Sequence, residues 1–318
     1  MSLPPDPSTA RLPGPWAHHD VSANGIRLHV AELGEGPLVL LLHGFPEFWW
    51  AWRGQLTALA EAGYRAVAVD LRGYGDSDKP PRGYDGWTLA GDVAGLVKAL
   101  GEQRAHLVGH AWGGMLAWTL SALHPRLVSS IAVLGGAHPL ALRRAVWLGL
   151  TRPFRRAARA QTRSSRHLFA AQLPRLPEAR LTRNAASQVE ALLRGWSGPD
   201  WRQTSAFVEV ARTHRTAMLI PGVAHSAMEY YRWSVRSQFR SDGRHFAEAV
   251  DRRAAVPVLQ VHGRLDPCFL PGTAARSSPW TGPRSQRVEL PGIGHFPHHE
   301  APDQVNDLLV RFLARVAG

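Results

Sequence analysis

The segment Gly109-His110-Ala111-Trp112-Gly113-Gly114 follows a short apolar run and precedes a pattern typical of a helix. In a tight turn of this kind, the central residue projects from the carboxyl edge of the sheet, and the glycines around it leave room for the turn. That position is where an enzyme of this design carries a covalent nucleophile. Here it is Ala111, whose methyl group cannot attack a substrate. The sequence therefore predicts the turn without its reacting group.

Three other segments that could complete a site also follow apolar runs. His43-Gly44-Phe45-Pro46-Glu47 comes first, Asp266 follows a later run, and His295 lies in a Gly-rich loop after the last one. Because the carboxyl ends of parallel strands meet in one crevice, we expect these segments to converge on Ala111. The order elbow, acid, histidine is typical of a hydrolase architecture, in which the backbone N–H groups of the first loop help to form an oxyanion hole.

The elements that must position these residues alternate along the chain. Apolar runs predict strands that are buried on both faces, and helical patterns lie between them. Thr88 is predicted to cap a helix that runs to Leu100, and another helix is predicted to end before Pro125. Such alternation indicates a mostly parallel sheet flanked by helices. The predicted strands are Leu38 to His43, Ala66 to Asp70, His106 to His110, Ile131 to Gly135, Val256 to His262 and Arg287 to Leu290.

A long insertion interrupts this alternation. Between residues 139 and 246 the pattern becomes helical and is broken by prolines, which predicts an inserted all-helical lid domain. The predicted domains are therefore a first part of the core at 1–138, the lid at 139–246 and a second part of the core at 247–318.

The net charge of +12 would be compatible with nucleic-acid binding, but its distribution argues against that function. From Arg143 to Arg194 there are twelve arginines and two acidic residues, so most of the excess lies in the predicted lid. No RNP, zinc-finger or KH signature accompanies this segment. We therefore interpret it as a solvated arginine-rich surface and expect no nucleic-acid partner.

Other features exclude further classes of protein. No apolar run is long enough to span a bilayer and the first residues do not form a signal peptide, so we expect a cytoplasmic protein without membrane insertion. The single cysteine, Cys268, is interpreted as a small apolar filler. The pairs His18-His19 and His298-His299 have no zinc-motif spacing, so solvated or capping roles are predicted for them and no metal or other cofactor is expected.

The motifs together resemble the epoxide hydrolase branch of the α/β-hydrolase fold superfamily. The resemblance spans nearly the whole chain and rests on the segments HGFPEFWWAWR from His43, DLRGYGDSDKP from Asp70, GHAWGG from Gly109, and GHFPHHEAP from Gly294, together with GRLDP from Gly263. In that family the elbow normally reads GHDWGG, so this sequence departs from the pattern at the nucleophile itself. The fold that the resemblance implies is an α/β-hydrolase core with a helical lid.

The resemblance implies a two-step reaction that turns an epoxide into a vicinal diol, which is hydrolysis of an ether bond. An elbow carboxylate opens the epoxide to an ester, and water then hydrolyses that ester. In this scheme His295 activates the water and Asp266 orients its imidazole. The backbone N–H groups of Phe45 and Trp112 hold the oxyanion.

The family also uses a lid tyrosine that donates a hydrogen bond or proton to the epoxide oxygen. Tyr231 is the best match, because it immediately precedes an arginine in a helix predicted to start at Pro221. No counterpart of the second lid tyrosine found in many relatives is evident in the stretch from Leu168 to Pro174. The remaining residues predicted to line the substrate pocket are His43, Pro46, Trp112, Met228 and Tyr230.

Ala111 leaves several functions open. One alternative is an epoxide hydrolase scaffold whose nucleophile was removed, either by engineering or by natural loss. Another is a natural non-catalytic relative that binds an apolar ligand. A dehalogenase scaffold is a further alternative, although Phe45 and Trp112 differ from the residues common at those positions in dehalogenases. The sequence does not identify the epoxide, the oligomeric state or the role of the arginine-rich lid.

Overall fold

A single sheet of eight strands, parallel except at one edge, forms the centre of the protein. The computed structural model describes residues 3–151, 154, 156–282 and 284–317, and the side chains of these except 156–159 and 317. The strand order is β1-β2-β4-β3-β5-β6-β7-β8, and only the pairings of β2 with β1 and β4 are antiparallel. The strands are β1 Ala17–Ala23, β2 Ile26–Leu33, β3 Leu38–Leu42, β4 Arg65–Val69, β5 Ala105–His110, β6 Val128–Leu134, β7 Val258–Gly263 and β8 Gln286–Leu290.

The helices cover both faces of the sheet and build the insertion. The predicted mostly parallel sheet flanked by helices is confirmed. The helices are α1 Arg53–Glu61, α2 Gly86–Ala99, α3 Trp112–Leu123, α4 Pro139–Thr151, α5 Arg156–Ser164, α6 Arg166–Ala170, α7 Leu176–Trp196, α8 Ser205–Met218, α9 Val223–Arg236, α10 Ser241–Val250, α11 Pro271–Ala275, α12 Pro297–Glu300 and α13 Pro302–Ala317.

The central strands are buried on both faces, which explains their continuous apolar sequences. Every residue of β3, β5 and β7 is buried. The antiparallel hairpin of β1 and β2 was not predicted, because β1 is largely polar and exposed and has no run of apolar residues. The six predicted strands each overlap an observed one, with ends that coincide or differ by at most three residues.

The predicted cap of α2 is wrong. Helix α2 begins at Gly86, and its N-cap is Asp85, whose carboxylate accepts hydrogen bonds from the backbone N–H and the hydroxyl of Thr88 at 2.9 and 2.7 Å. Thr88 therefore lies within the first turn. A carboxylate suits this position better because it also interacts favourably with the positive end of the helix dipole.

Helices α4 to α10 come between β6 and β7 along the chain, although these two strands are neighbours in the sheet. They form the insertion over the carboxyl edge of the sheet. Helix α9 begins two residues after Pro221, close to its predicted start. The predicted lid end at residue 246 falls inside α10, so the boundaries 139–246 stay a prediction. Among the described residues, no helix is both long and apolar enough to cross a membrane.

Candidate active site

The turn between β5 and α3 has the backbone geometry predicted for the elbow. Ala111 has φ 45° and ψ −105°, a conformation that an L-residue rarely adopts and that costs of order 1–3 kcal/mol. A side chain at Gly109 would lie 2.3 Å from the backbone of Gly113, and one at Gly113 would lie 2.0 Å from the carbonyl oxygen of Leu42. The glycines are therefore required by the close approach of backbone segments.

Asp266 and His295 form the predicted acid–histidine pair. His295 Nδ1 lies 2.9 Å from Asp266 Oδ2, and both side chains are buried. The other carboxylate oxygen accepts hydrogen bonds from the backbone N–H groups of Cys268 and Phe269 at 2.7 and 3.0 Å. Although burial raises the pKa of Asp266, the electrostatic interaction and the hydrogen bond with His295 lower it below the ordinary value, so the group remains a carboxylate.

The imidazole of His295 has one nitrogen left for chemistry. Because Nδ1 donates to the Asp266 carboxylate, the lone pair lies on Nε2, which contacts no protein acceptor or donor among the described residues. The backbone N–H of His295 donates to the carbonyl oxygen of Trp196 in the insertion at 2.8 Å. The ring is therefore oriented by the core and its loop is attached to the insertion.

A small cavity brings the site together. Its empty volume is about 390 Å³. Its walls come from the elbow, the acid and histidine loops, the insertion and the loop from His43 to Glu47, called the oxyanion loop after its predicted role. We call it the catalytic cavity. Its lining residues are Phe45, Ala111, Trp112, Met115, Leu142, Ser165, His167, Leu168, Trp196, Tyr231, Cys268, Phe269 and His295.

Tyr231 supplies the only phenol in this lining of described residues. Its ring packs edge-on against Phe45 and Trp112, with centroids 5.4 and 5.2 Å away. Burial raises the pKa of Tyr231 well above the ordinary value, and nearby Cys268 acts in the same direction, so the phenol remains protonated. It is therefore a hydrogen-bond donor at any physiological pH.

The backbone N–H groups of Phe45 and Trp112 are free to bind an anion. Trp112 is the first residue of α3, where a backbone N–H has no acceptor within the helix. Neither group donates to another described residue, and both residues line the catalytic cavity. The arrangement is compatible with the predicted oxyanion hole, which stays a prediction.

Four of the residues predicted to line the pocket lie outside the catalytic cavity. His43 is buried, with Nδ1 at the carbonyl oxygen of Gly44 and Nε2 accepting from the N–H of Leu71, so it supports the oxyanion loop. Pro46 is also absent from the walls of the catalytic cavity. Tyr230 and Met228 line neighbouring cavities, and the Tyr230 hydroxyl donates to the carbonyl oxygen of Arg72.

The sequence did not predict that His167 and Cys268 would line the catalytic cavity. His167 Nδ1 lies 3.0 Å from the carbonyl oxygen of Ser164, so Nδ1 carries the hydrogen and Nε2 the lone pair. Burial lowers the pKa of His167 to about 4, which keeps the ring neutral near pH 7. The insertion thus places a hydrogen-bond acceptor beside the phenol of Tyr231, whose ring centroid is 5.6 Å away.

The prediction of solvated or capping roles for His298 and His299 is wrong. Both are buried beside the carboxylate of Glu47, with Nε2 atoms 2.9 and 3.2 Å from Oε1. The other oxygen, Oε2, accepts from the N–H of Gly44 and lies 2.6 Å from His110 Nδ1. Spacing along the chain could not reveal this cluster, because Glu47 lies about 250 residues from the two histidines.

His110 is a buried imidazolium in this cluster. Its two ring nitrogens face two acceptors, Glu47 Oε2 and the carbonyl oxygen of His295, the latter at 2.8 Å, so both nitrogens carry hydrogens. Burial alone would lower the pKa of His110, but the charge of Glu47 raises it above the ordinary value. The pKa of Glu47 is correspondingly held well below its usual range despite burial.

Comparisons with known proteins agree with this architecture. The family model described as the alpha/beta hydrolase fold matches residues 37–302. The AB hydrolase superfamily protein YfhM of Bacillus subtilis is 31% identical over 298 residues, which cover 92% of this chain and 96% of that protein. An epoxide hydrolase of Caballeronia sordidicola is 31% identical and covers 97% of each chain.

Solved structures show the same likeness. The crystal structure of an epoxide hydrolase from Vigna radiata matches with a TM-score of 0.76 and 27% identity over 95% of this chain and 98% of that one. An epoxide hydrolase from an endophytic Streptomyces matches with a TM-score of 0.77 and 28% identity, over 95% and 96%. With its sheet, elbow and acid–histidine pair, the chain belongs to the α/β-hydrolase fold family and is of the epoxide hydrolase type within it.

Proposed function

We propose that the protein is an epoxide hydrolase scaffold whose nucleophile position is occupied by Ala111. The observation that carries the proposal is the convergence of this elbow, the His295–Asp266 pair and the phenol of Tyr231 on one cavity. A carboxylate at position 111 would attack an epoxide carbon as the carbon–oxygen bond breaks, and the Tyr231 hydroxyl would give its proton to the leaving oxygen. The product of this step is an ester.

Hydrolysis of that ester uses the remaining residues. His295 Nε2 takes a proton from water, which attacks the ester carbonyl, and Asp266 stabilises the imidazolium that forms. The backbone N–H groups of Phe45 and Trp112 stabilise the oxyanion. When the intermediate collapses, the ester carbon–oxygen bond breaks and the His295 imidazolium gives its proton to the departing diol oxygen. The carboxylic acid that remains gives its proton to the Tyr231 phenolate, which regenerates the carboxylate and the phenol.

This scheme predicts that the chain as it stands has little or no activity. Removal of a covalent nucleophile costs about 10⁴ to 10⁶ in turnover. We expect Ala111→Asp to raise diol formation from aryl and alkyl epoxides by at least about 10⁴-fold. Ala111→Asn is the matched control, because it has nearly the same size without a carboxylate and should stay inactive.

Two outcomes would contradict the proposal. Rapid diol formation by the chain with Ala111 would show that position 111 does not hold the nucleophile. An inert Ala111→Asp variant that remains folded, by its unfolding temperature, would exclude the epoxide hydrolase scaffold. Release of halide from organohalides by Ala111→Asp would instead favour the dehalogenase alternative.

A second candidate function is favoured by Ala111 itself. A chain without a nucleophile can use the same apolar cavity to bind a ligand without converting it. Trp112 and Trp196 line the catalytic cavity, so ligand binding should change tryptophan fluorescence. Saturable binding of an epoxide with no turnover by either Ala111 or Ala111→Asp would support this binding function.

A further inference from the structure

Exposed apolar side chains are concentrated around one opening in the insertion. A larger cavity, with an empty volume of about 1190 Å³, adjoins the catalytic cavity, and the two share Trp112, Met115, Leu142 and Leu168 in their walls. We call it the outer cavity. Four of the eleven exposed large apolar residues among the described ones line it. These four, the lid rim, are Trp147, Leu150, Phe169 and Phe239.

The lid rim contains continuous apolar surface and not only scattered side chains. Trp147 and Leu150 lie on successive turns of α4, and the ring of Trp147 contacts that of Phe239 with centroids 6.1 Å apart. Phe239 is 73% exposed. Single exposed apolar residues are ordinary on a protein surface, whereas a group around an apolar cavity marks an interaction site.

Positive charge predominates around the rim, although Glu248 and Asp251 lie beside Trp147. Residues 139–177 contain nine arginines and no acidic residue. Among the described residues, Arg163, Arg166, Arg236 and Arg244 are exposed and form no ion pair. Two other exposed arginines nearby, Arg144 and Arg240, already pair with Asp251 and Asp242. Each of these four unpaired arginines lies within five residues of one that lines the outer cavity, so the surface near the rim carries cations without an ion-pair partner in the described part of the chain.

The combination of apolar side chains and unpaired arginines indicates which class of partner this surface would bind. A second copy of this chain would present the same arginines and the same net charge of +12, which would oppose contact. A nucleic-acid duplex would use the arginines, but its stacked bases gain nothing from exposed Trp147 and Leu150. The bases of a single strand could stack on Trp147 but have no use for the aliphatic side chain of Leu150. A bilayer with anionic headgroups uses both features, because arginine contacts the phosphates and the apolar side chains enter the acyl boundary.

We propose that the lid rim and the arginines around it dock the protein peripherally on an anionic lipid bilayer, with the outer cavity opening toward the membrane. An apolar ligand dissolved in the bilayer would then enter the outer cavity and reach the catalytic cavity through their shared wall. This docking does not depend on which reaction the catalytic cavity performs. It can therefore be tested on the chain as it stands.

The test is flotation of the full chain with large unilamellar vesicles. We expect binding to vesicles of phosphatidylglycerol and phosphatidylcholine in equal amounts at low salt, and at least tenfold weaker binding to phosphatidylcholine alone or at high salt. A rim variant and its matched control separate specific docking from general stickiness. The rim variant is Trp147→Ser, Leu150→Ser, Phe239→Ser, and the control, with exposed apolar residues elsewhere, is Leu3→Ser, Val208→Ser, Leu265→Ser.

A second pair of variants tests the charge. Arg163→Ser with Arg166→Ser removes two cations near the rim, and Arg126→Ser with Arg264→Ser removes two exposed cations on the core. We expect the rim and Arg163/Arg166 variants each to bind anionic vesicles at least tenfold more weakly, while both controls retain binding. Because Trp147 and Leu150 are only 36% and 46% exposed, the unfolding temperature of every variant is measured and binding is compared well below the lowest of them.

Three outcomes would overturn the docking proposal. The chain could fail to float with anionic vesicles at low salt. The controls could lose binding as much as the test variants do. Finally, a DNA duplex could bind more tightly than the vesicles with an affinity that the rim variant leaves unchanged, which would assign the arginines to nucleic acid instead.

Discussion

Two buried histidine–carboxylate pairs lie side by side in this protein, and only one of them is suited to catalysis. The rings of His295 and His110 are 4.7 Å apart between centroids, and each has a carboxylate partner, Asp266 and Glu47. His295 keeps Nε2 free and lines the catalytic cavity, whereas both nitrogens of His110 are held by acceptors. A free ring nitrogen at a cavity therefore separates a candidate base from a structural cation.

The largest expected difference between the two histidines is kinetic. On an Ala111→Asp background, His295→Gln should lower diol formation by about 10³-fold or more, because the ester forms but its hydrolysis loses the base. Mass spectrometry of the intact protein should then show the added mass of the epoxide. His110→Gln is the comparison and should lower turnover by less than about tenfold. Equal losses without ester accumulation would contradict the distinction.

The order should be reversed for protein stability, so that neutralising Glu47 destabilises the fold more than neutralising Asp266 does. Glu47→Gln leaves the His110 cation buried without its counter-charge, so we expect a loss of about 3–5 kcal/mol in the free energy of unfolding. Asp266→Asn removes hydrogen bonds to a charged group, for which about 1.5–3 kcal/mol is expected. Urea unfolding at pH 7 measures both. A larger loss for Asp266→Asn than for Glu47→Gln would contradict this order.

The phenol of Tyr231 should matter for the first chemical step alone. On the Ala111→Asp background, Tyr231→Phe removes the donor to the epoxide oxygen and should slow ester formation by about 10²-fold. Tyr230→Phe is the matched control, because the Tyr230 hydroxyl is committed to the carbonyl oxygen of Arg72. Single-turnover kinetics separate ester formation from hydrolysis. Similar rates for Tyr231→Phe and its parent would exclude the phenol as the donor.

The smallest expected effect is on the pH dependence of protein stability, through the buried histidine His214. Burial lowers the pKa of His214, whose ring packs against His299, to about 4. The unfolded chain, with a histidine pKa near 6.5, therefore binds more protons between about pH 6.5 and 4, so the free energy of unfolding falls as the pH falls through this window. His214→Gln should reduce the slope of unfolding free energy against pH by about one proton. A slope that His214→Gln leaves unchanged would contradict this source of the pH dependence.

The sequence predicted what depends on local pattern. The buried strands and the elbow were identified because an apolar run followed by glycines at fixed spacing dictates a strand and a tight turn. The β1–β2 hairpin was missed because the exposed strand β1 has no apolar run. The Glu47 cluster and the lining role of His167 depend on contacts between distant parts of the chain, which neither spacing nor composition reveals.

The strained backbone at Ala111 bears on how readily the missing group could be gained. The turn already holds φ at 45° with only a methyl group in place, so the backbone strain does not depend on a carboxylate. An alanine codon that ends in a pyrimidine becomes an aspartate codon by a single base change. With such a codon, the chain lies one point mutation from carrying a carboxylate on a turn that is already formed, so loss and recovery of the nucleophile would both be short evolutionary steps.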